Sequence, residues 1–136
     1  MTEQELNAKF KMFEQQIMQI QEQLKLVEQA IFDMNTISTG LDELVGKEGE
    51  EIMAPIGRGI FVKAKLLSED LTVDVGEKHF VKKTIPQSKG LIKEQVTKLK
   101  ESRTYLEKEL DKINEDISKT MMAHQQKMNE QNSELK

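Results

Sequence analysis

Apolar residues recur in alternating steps of four and three at both ends of the chain. Leu6, Phe10, Phe13, Ile17, Ile20, Leu24, Val27, Ile31 and Met34 make the first run. Ile92, Val96, Leu99, Leu106, Leu110, Ile113 and Ile117 make the second, with Arg103 in the slot between Leu99 and Leu106. A mean step of about 3.5 residues keeps one stripe of an α-helix against a partner helix in a left-handed coiled coil. The pattern predicts a helix from Glu3 to Val45 and a second over 86–136. The two fold back on each other as an antiparallel hairpin with both chain ends at its far tip.

Local signals refine these helices. Gly46, followed by Lys47-Glu48-Gly49, supplies a C-cap and a loop. Ser38 stands where an apolar residue is due, so Ser38-Thr39-Gly40 predicts a bend or a frayed turn. Pro86 suits the first turn of the returning helix, where its missing N–H is no loss. Beyond Ile117 the stripe turns polar, with Thr120, His124 and Lys127 in its slots. Setting Val45 beside Leu91 places Phe10 near Gln126 and Phe13 near Ala123. The resulting arm is roughly 60 Å long at about 1.5 Å per residue.

Between the helices the period changes. Ile60 to Leu66 and Leu71 to Val75 are short, β-branched and partly alternating, as strands are. An internal repeat offset by nineteen residues aligns Ala54-Pro55-Ile56-Gly57-Arg58-Gly59-Ile60-Phe61-Val62-Lys63 with Val73-Asp74-Val75-Gly76-Glu77-Lys78-His79-Phe80-Val81-Lys82. Each copy reads as strand, glycine turn, strand, with Gly57 and Gly76 supplying the positive φ of a tight turn. Segment 46–85 therefore holds two β-hairpins, roughly 51–66 and 71–85. Four such short strands cannot cover their own edges and apolar faces, so this region calls for partner subunits. The expected fold class is α+β: one coiled-coil hairpin carrying two β-hairpins, in a single domain over 1–136.

Charge and composition narrow the function. The net charge is −4. Residues 1–45 hold three lysines against eight acids, 46–86 balance seven against seven, and 87–136 hold ten basic residues against nine acids. An acidic first helix beside a slightly basic second one favours antiparallel pairing. It argues against a nucleic-acid partner, which needs a concentrated basic face. There is no cysteine, which excludes disulfides and thiolate metal sites. No basic-then-apolar leader and no membrane-spanning apolar run is present, so a soluble, cytoplasmic chain without a membrane partner is expected.

Catalytic signals are missing. His79 and His124 are isolated, without the spacing of a zinc site. Gly57-Arg58-Gly59 lacks the rest of a phosphate-loop pattern and lies between strands. Lys63, Lys65, Lys82 and Lys83 fit solvated strand faces or protected edges better than an acidic partner. No enzyme activity, cofactor or metal is expected.

The distal coil is more informative. Met12, Met18, Met121, Met122 and Met128 lie in its outer half together with Leu6, Phe10 and Phe13. Two readings fit. The aromatic residues finish the coil and the methionines fill gaps, or partly exposed Met and Phe offer an adaptable surface for varied apolar sequences.

In its order of helix, two hairpins and returning helix, the chain resembles an α-class prefoldin subunit of archaeal type. The resemblance is strongest at Ala54 to Ala64, with its Pro55-Ile56-Gly57-Arg58-Gly59 stretch, and at Val73-Asp74-Val75-Gly76 and Val81-Lys82-Lys83. Two departures stand out: Gly76-Glu77-Lys78 lacks the second glycine common in the family, and Gly90 lies inside the expected second helix. The resemblance implies a hexamer of two α-class and four β-class chains, whose hairpins join into β-barrels from which coiled coils project. It implies an ATP-independent holdase that captures unfolded client proteins at the coil tips and delivers them to a group II chaperonin. On this chain the client-binding tip would comprise Leu6, Phe10, Met12, Phe13, Met121, Met122 and Met128. Assembly would involve Ile56, Ile60, Val62, Val73, Val75 and Val81, with Gly57 and Gly76 at the turns. The alternatives are a prefoldin-like chain that forms filaments through its hairpins, and a coiled-coil adaptor or spacer that binds no client.

Overall fold

The computed structural model describes residues 2–134. Helix α1 spans Glu3–Leu44 and helix α2 spans Ile85–Glu134. Between them come strands β1 (Glu51–Gly57), β2 (Ile60–Lys65), β3 (Leu71–Asp74) and β4 (Phe80–Lys83). The α+β class and the element order agree with the sequence reading. Residues 135 and 136 of the expected second helix lie outside the described residues.

Both helices start on the same device. The Thr2 hydroxyl accepts the Glu5 N–H at 3.1 Å while the Glu5 carboxylate accepts the Thr2 N–H at 3.3 Å. Thr84 and Gln87 repeat the exchange at 3.2 and 3.0 Å. Each capping box satisfies two N–H groups that the first helical turn would otherwise leave without partners.

The fraying expected at Ser38-Thr39-Gly40 does not occur. The helix runs unbroken to Leu44, and the Thr36 and Thr39 hydroxyls donate to the carbonyls of Phe32 and Asn35 at 2.9 and 3.1 Å. Ser38 keeps its place on the half-buried stripe between Met34 and Leu41. One helical glycine costs about 1 kcal/mol, which continued packing of Leu41 and Leu44 offsets. Gly46, at φ +78°, then turns the chain out of the helix, and its N–H donates to the Glu69 carboxylate.

β1 and β2 form one antiparallel pair, β3 and β4 another, and the described residues show no pairing between the two. The nineteen-residue repeat is kept in register. Ala54 faces Val62 and Pro55 faces Phe61 in the first hairpin; Val73 faces Val81 and Asp74 faces Phe80 in the second. The first turn has positive φ at Gly57, Arg58 and Gly59, the second at Gly76, Glu77 and Lys78. Ile56 falls at a register shift in the ladder. Its counterpart Val75 donates its N–H to the His79 carbonyl at 2.9 Å.

The chain divides into two compact units. A terminal unit takes the described residues up to Gln29 and those from Leu99 onward, and a hairpin unit takes Ala30–Lys98. In each, the half-buried residues follow the predicted stripe, Arg103 included. Leu6 and Phe13 are buried in the terminal unit, Ile31, Ile85 and Ser88 in the hairpin unit.

The helix register differs from the one expected. In the hairpin unit the Lys89 ammonium pairs with the Asp42 carboxylate. In the terminal unit Gln19 and Ile20 share a groove with Lys112 and Ile113, and Leu6 lies beside Ala123 and His124. Relative to a Val45–Leu91 pairing, α2 is displaced by roughly one turn. In the hairpin unit α2 begins at Ile85, which is buried behind the Thr84 cap.

Candidate functional site

Each unit carries a group of exposed apolar side chains, and others, Leu26, Phe32, Leu67 and Tyr105 among them, stand exposed outside these groups. In the terminal unit Met12, Met18, Met121, Met122 and Met128 all point largely into solvent, Met122 at 70% exposure. Each lies off the stripe that packs the helices together. Phe10 is half-buried, its ring 6.4 Å from that of Phe13 and tilted by 57°.

Leu6 and Phe13, two of the residues expected at the client-binding tip, are buried. They retain only 7% and 6% of their surface. The shifted register explains this. With Ile20 beside Ile113 and Leu6 beside His124, Phe13 comes level with Ile117, the last apolar residue of the α2 stripe. Leu6 lines one cavity with Ala123, Thr120, His124, Lys9, Lys119 and Lys127; the stems of long basic side chains shelter apolar surface while their charged ends stay wet.

Four basic groups line that same cavity, which sequence reasoning did not single out: Lys9, Lys119, His124 and Lys127. The signal lay in the polar substitutions at Thr120, His124 and Lys127. Lys9 also holds its ammonium 5.9 Å from the Phe13 ring centroid.

In the hairpin unit Ile56, Ile60, Val62, Val75 and Val81 are exposed, Ile56 at 68%, and Val73 is half-buried. Gly57 and Gly76 take φ of +141° and +131° at the turns. Alternation puts Ile52 and Ala54, and likewise Leu71 and Val73, on the more covered face of each hairpin. The opposite faces expose Met53, Phe61 and Phe80. Phe61 and Phe80 occupy the same slot in the two hairpins. The repeat alignment contained that equivalence, although these rings were not among the expected assembly residues. A two-stranded hairpin is marginal alone, and each strand here has one edge without a neighbouring strand among the described residues.

Among the described residues no group of three or more His, Asp or Glu is placed to hold a metal ion. None of their helices is long and apolar enough to cross a membrane.

Comparison with known proteins agrees with this architecture. The family model described as "Prefoldin subunit" matches residues 6–130. The chain is similar to a prefoldin subunit alpha of Methanobrevibacter smithii, 33% identical over 84 residues, which cover 61% of this chain and 58% of that one. It is also similar to a prefoldin subunit alpha of Methanosphaera stadtmanae, 29% identical over 65 residues, covering 48% and 47%. The chain thus spans about half the length of the curated relatives it matches. In fold it is similar to a filamentous PFD of Methanocaldococcus jannaschii solved by cryo-EM. The TM-score is 0.77 at 18% identity, over 86% of this chain and 98% of that one.

Proposed function

Because the chain belongs to the prefoldin family, we propose that it is an α-class subunit of a cytoplasmic, ATP-independent holdase. Its hairpins join those of other prefoldin subunits, two α-class with four β-class chains. Its terminal unit captures unfolded client proteins and passes them to a group II chaperonin. It performs no catalysis.

The observation that carries this reading is the exposure of apolar side chains in two separate groups with different backbones. The hairpins offer β-branched and aromatic residues on strands with open edges, which suit fixed pairing between subunits. The terminal unit offers Met12, Met18, Met121, Met122 and Met128 on helices whose backbone is already satisfied. Unbranched thioethers adapt to many apolar shapes, a property of use to a surface that meets clients of no fixed sequence. Assembly thus draws on Ile56, Phe61, Val75 and Phe80, and capture on the methionines with Phe10. Leu6 and Phe13 hold the helices beneath them.

The test separates the two surfaces. Light scattering on the chain mixed with a β-class subunit should give a closed species near about 90 kDa. Replacing the five methionines by glutamine should leave that mass unchanged and abolish suppression of client aggregation. Undiminished suppression would remove the capture claim.

The fold neighbour supports a second reading, in which hairpin contacts fail to close and the chain grows into filaments. Light scattering decides it: an open series of masses from the chain alone favours filaments, and a closed species that forms only with the β-class subunit favours the hexamer.

A further inference from the structure

The capture reading leaves the basic cavity of the terminal unit without a role. Lys9 reaches it from α1, and Lys119, His124 and Lys127 from α2. It measures about 220 Å³, and among the described residues no carboxylate lines it. Leu6 and Ala123 give it an apolar floor. The arrangement follows from helical spacing. Ala123 and Lys127 are four residues apart, as are Thr120 and His124, so they share the face turned toward Leu6 and Lys9.

The basic groups are only lightly committed elsewhere. Lys119 pairs with Glu115 at 3.6 Å, but both side chains are mostly exposed, and such pairs contribute little. Lys9 rests against the Phe13 ring, which leaves its N–H groups available. The Thr120 hydroxyl, by contrast, is already donated to the Asp116 carbonyl at 2.8 Å, so the lysines and the imidazole are the donors.

We propose that this cavity receives a carboxylate side chain of a client polypeptide, with an apolar neighbour of that side chain laid against the exposed Ala123. The proposal rests on the capture reading and adds to it a preference for segments in which acidic and apolar residues alternate. The charges are complementary, and they act on encounter rate and selectivity, while the exposed methionines supply sequence-independent contact. A nucleic acid fits less well. Four basic groups on a chain of net charge −4 do not make the extended basic track that a phosphate backbone requires.

The test uses the full chain in its assembly with β-class subunits and two dye-labelled peptides of identical apolar residues, one with interspersed Glu and one with Gln. Anisotropy at moderate salt should show the Glu peptide binding about fivefold more tightly, the sum of a few exposed ion pairs. High salt should erase the difference. The variant K9Q/K119Q/K127Q should bring the affinity ratio close to one, and K9R/K119R/K127R should retain it, with circular dichroism confirming that both stay helical. Equal affinities for the two peptides in the unmodified protein would overturn the acidic preference and leave the capture reading standing. If neither peptide binds, both fall. Displacement of the Glu peptide by single-stranded RNA of matched charge would make the cavity a general polyanion site and likewise overturn the proposal.

Discussion

Lys78 adopts at φ +63° the left-handed backbone that Gly59 adopts at φ +78° in the equivalent turn. A side chain in that region carries a cost of about 1–2 kcal/mol that glycine avoids. Part of the relief is cancelled by the greater freedom of glycine in the unfolded chain. Lys78→Gly should therefore stabilise the protein by up to about 1 kcal/mol, read as a higher urea midpoint. Gly59→Ala should lower the midpoint by a similar amount through backbone strain alone, since no atom lies within 4 Å of an added Cβ. A destabilising Lys78→Gly would assign the lysine side chain a contact that outweighs its strain.

Ser88 is 7% exposed, and its hydroxyl has no hydrogen-bond partner among the described residues. A buried hydroxyl left unpaired costs roughly 1–3 kcal/mol. Ser88→Ala should raise stability by about 1 kcal/mol in denaturant unfolding of the isolated chain. A fall would mean that the hydroxyl is paired in the isolated chain, through water or a backbone carbonyl, and is not orphaned.

Thr84 fixes where α2 begins, through its exchange with Gln87. Thr84→Ala should cost about 1 kcal/mol, whereas Thr84→Ser should cost much less, because serine caps as well. Midpoints from urea titration measure both. Equal midpoints for the alanine and serine variants would show that burial of Ile85 alone sets the start of the helix.

Phe13 and Met122 separate framework from surface. Phe13→Ala empties a buried position and should cost roughly 3 kcal/mol. Met122→Ala, at 70% exposure, should change stability by less than about 0.5 kcal/mol yet weaken suppression of client aggregation. Parallel unfolding and light-scattering assays test the pair. A Met122 variant with full suppression, or a Phe13 variant with unchanged stability, would reverse these assignments.

The sequence by itself determined what depends on local repetition. The four-three rhythm of Leu6 to Met34 and Ile92 to Ile117 dictates which face of each helix is covered, because helical period and side-chain direction are local properties. The nineteen-residue repeat likewise determined that Phe61 and Phe80, and Val62 and Val81, hold matching places in two hairpins, since each hairpin closes within a few residues of its turn. Both capping boxes carry their own signature in Thr2-Glu5 and Thr84-Gln87. Only the tertiary structure decided the register between the helices, and with it the fate of Leu6 and Phe13. A heptad stripe looks much the same after a slip of one turn, so periodicity alone does not choose between registers. It also decided that α1 passes through Ser38 to Gly40, where packing on either side outweighs weak local propensity. The basic cavity is tertiary in origin too. Lys9 and Lys127 are far apart along the chain and share a site only because an antiparallel coil brings its two ends together.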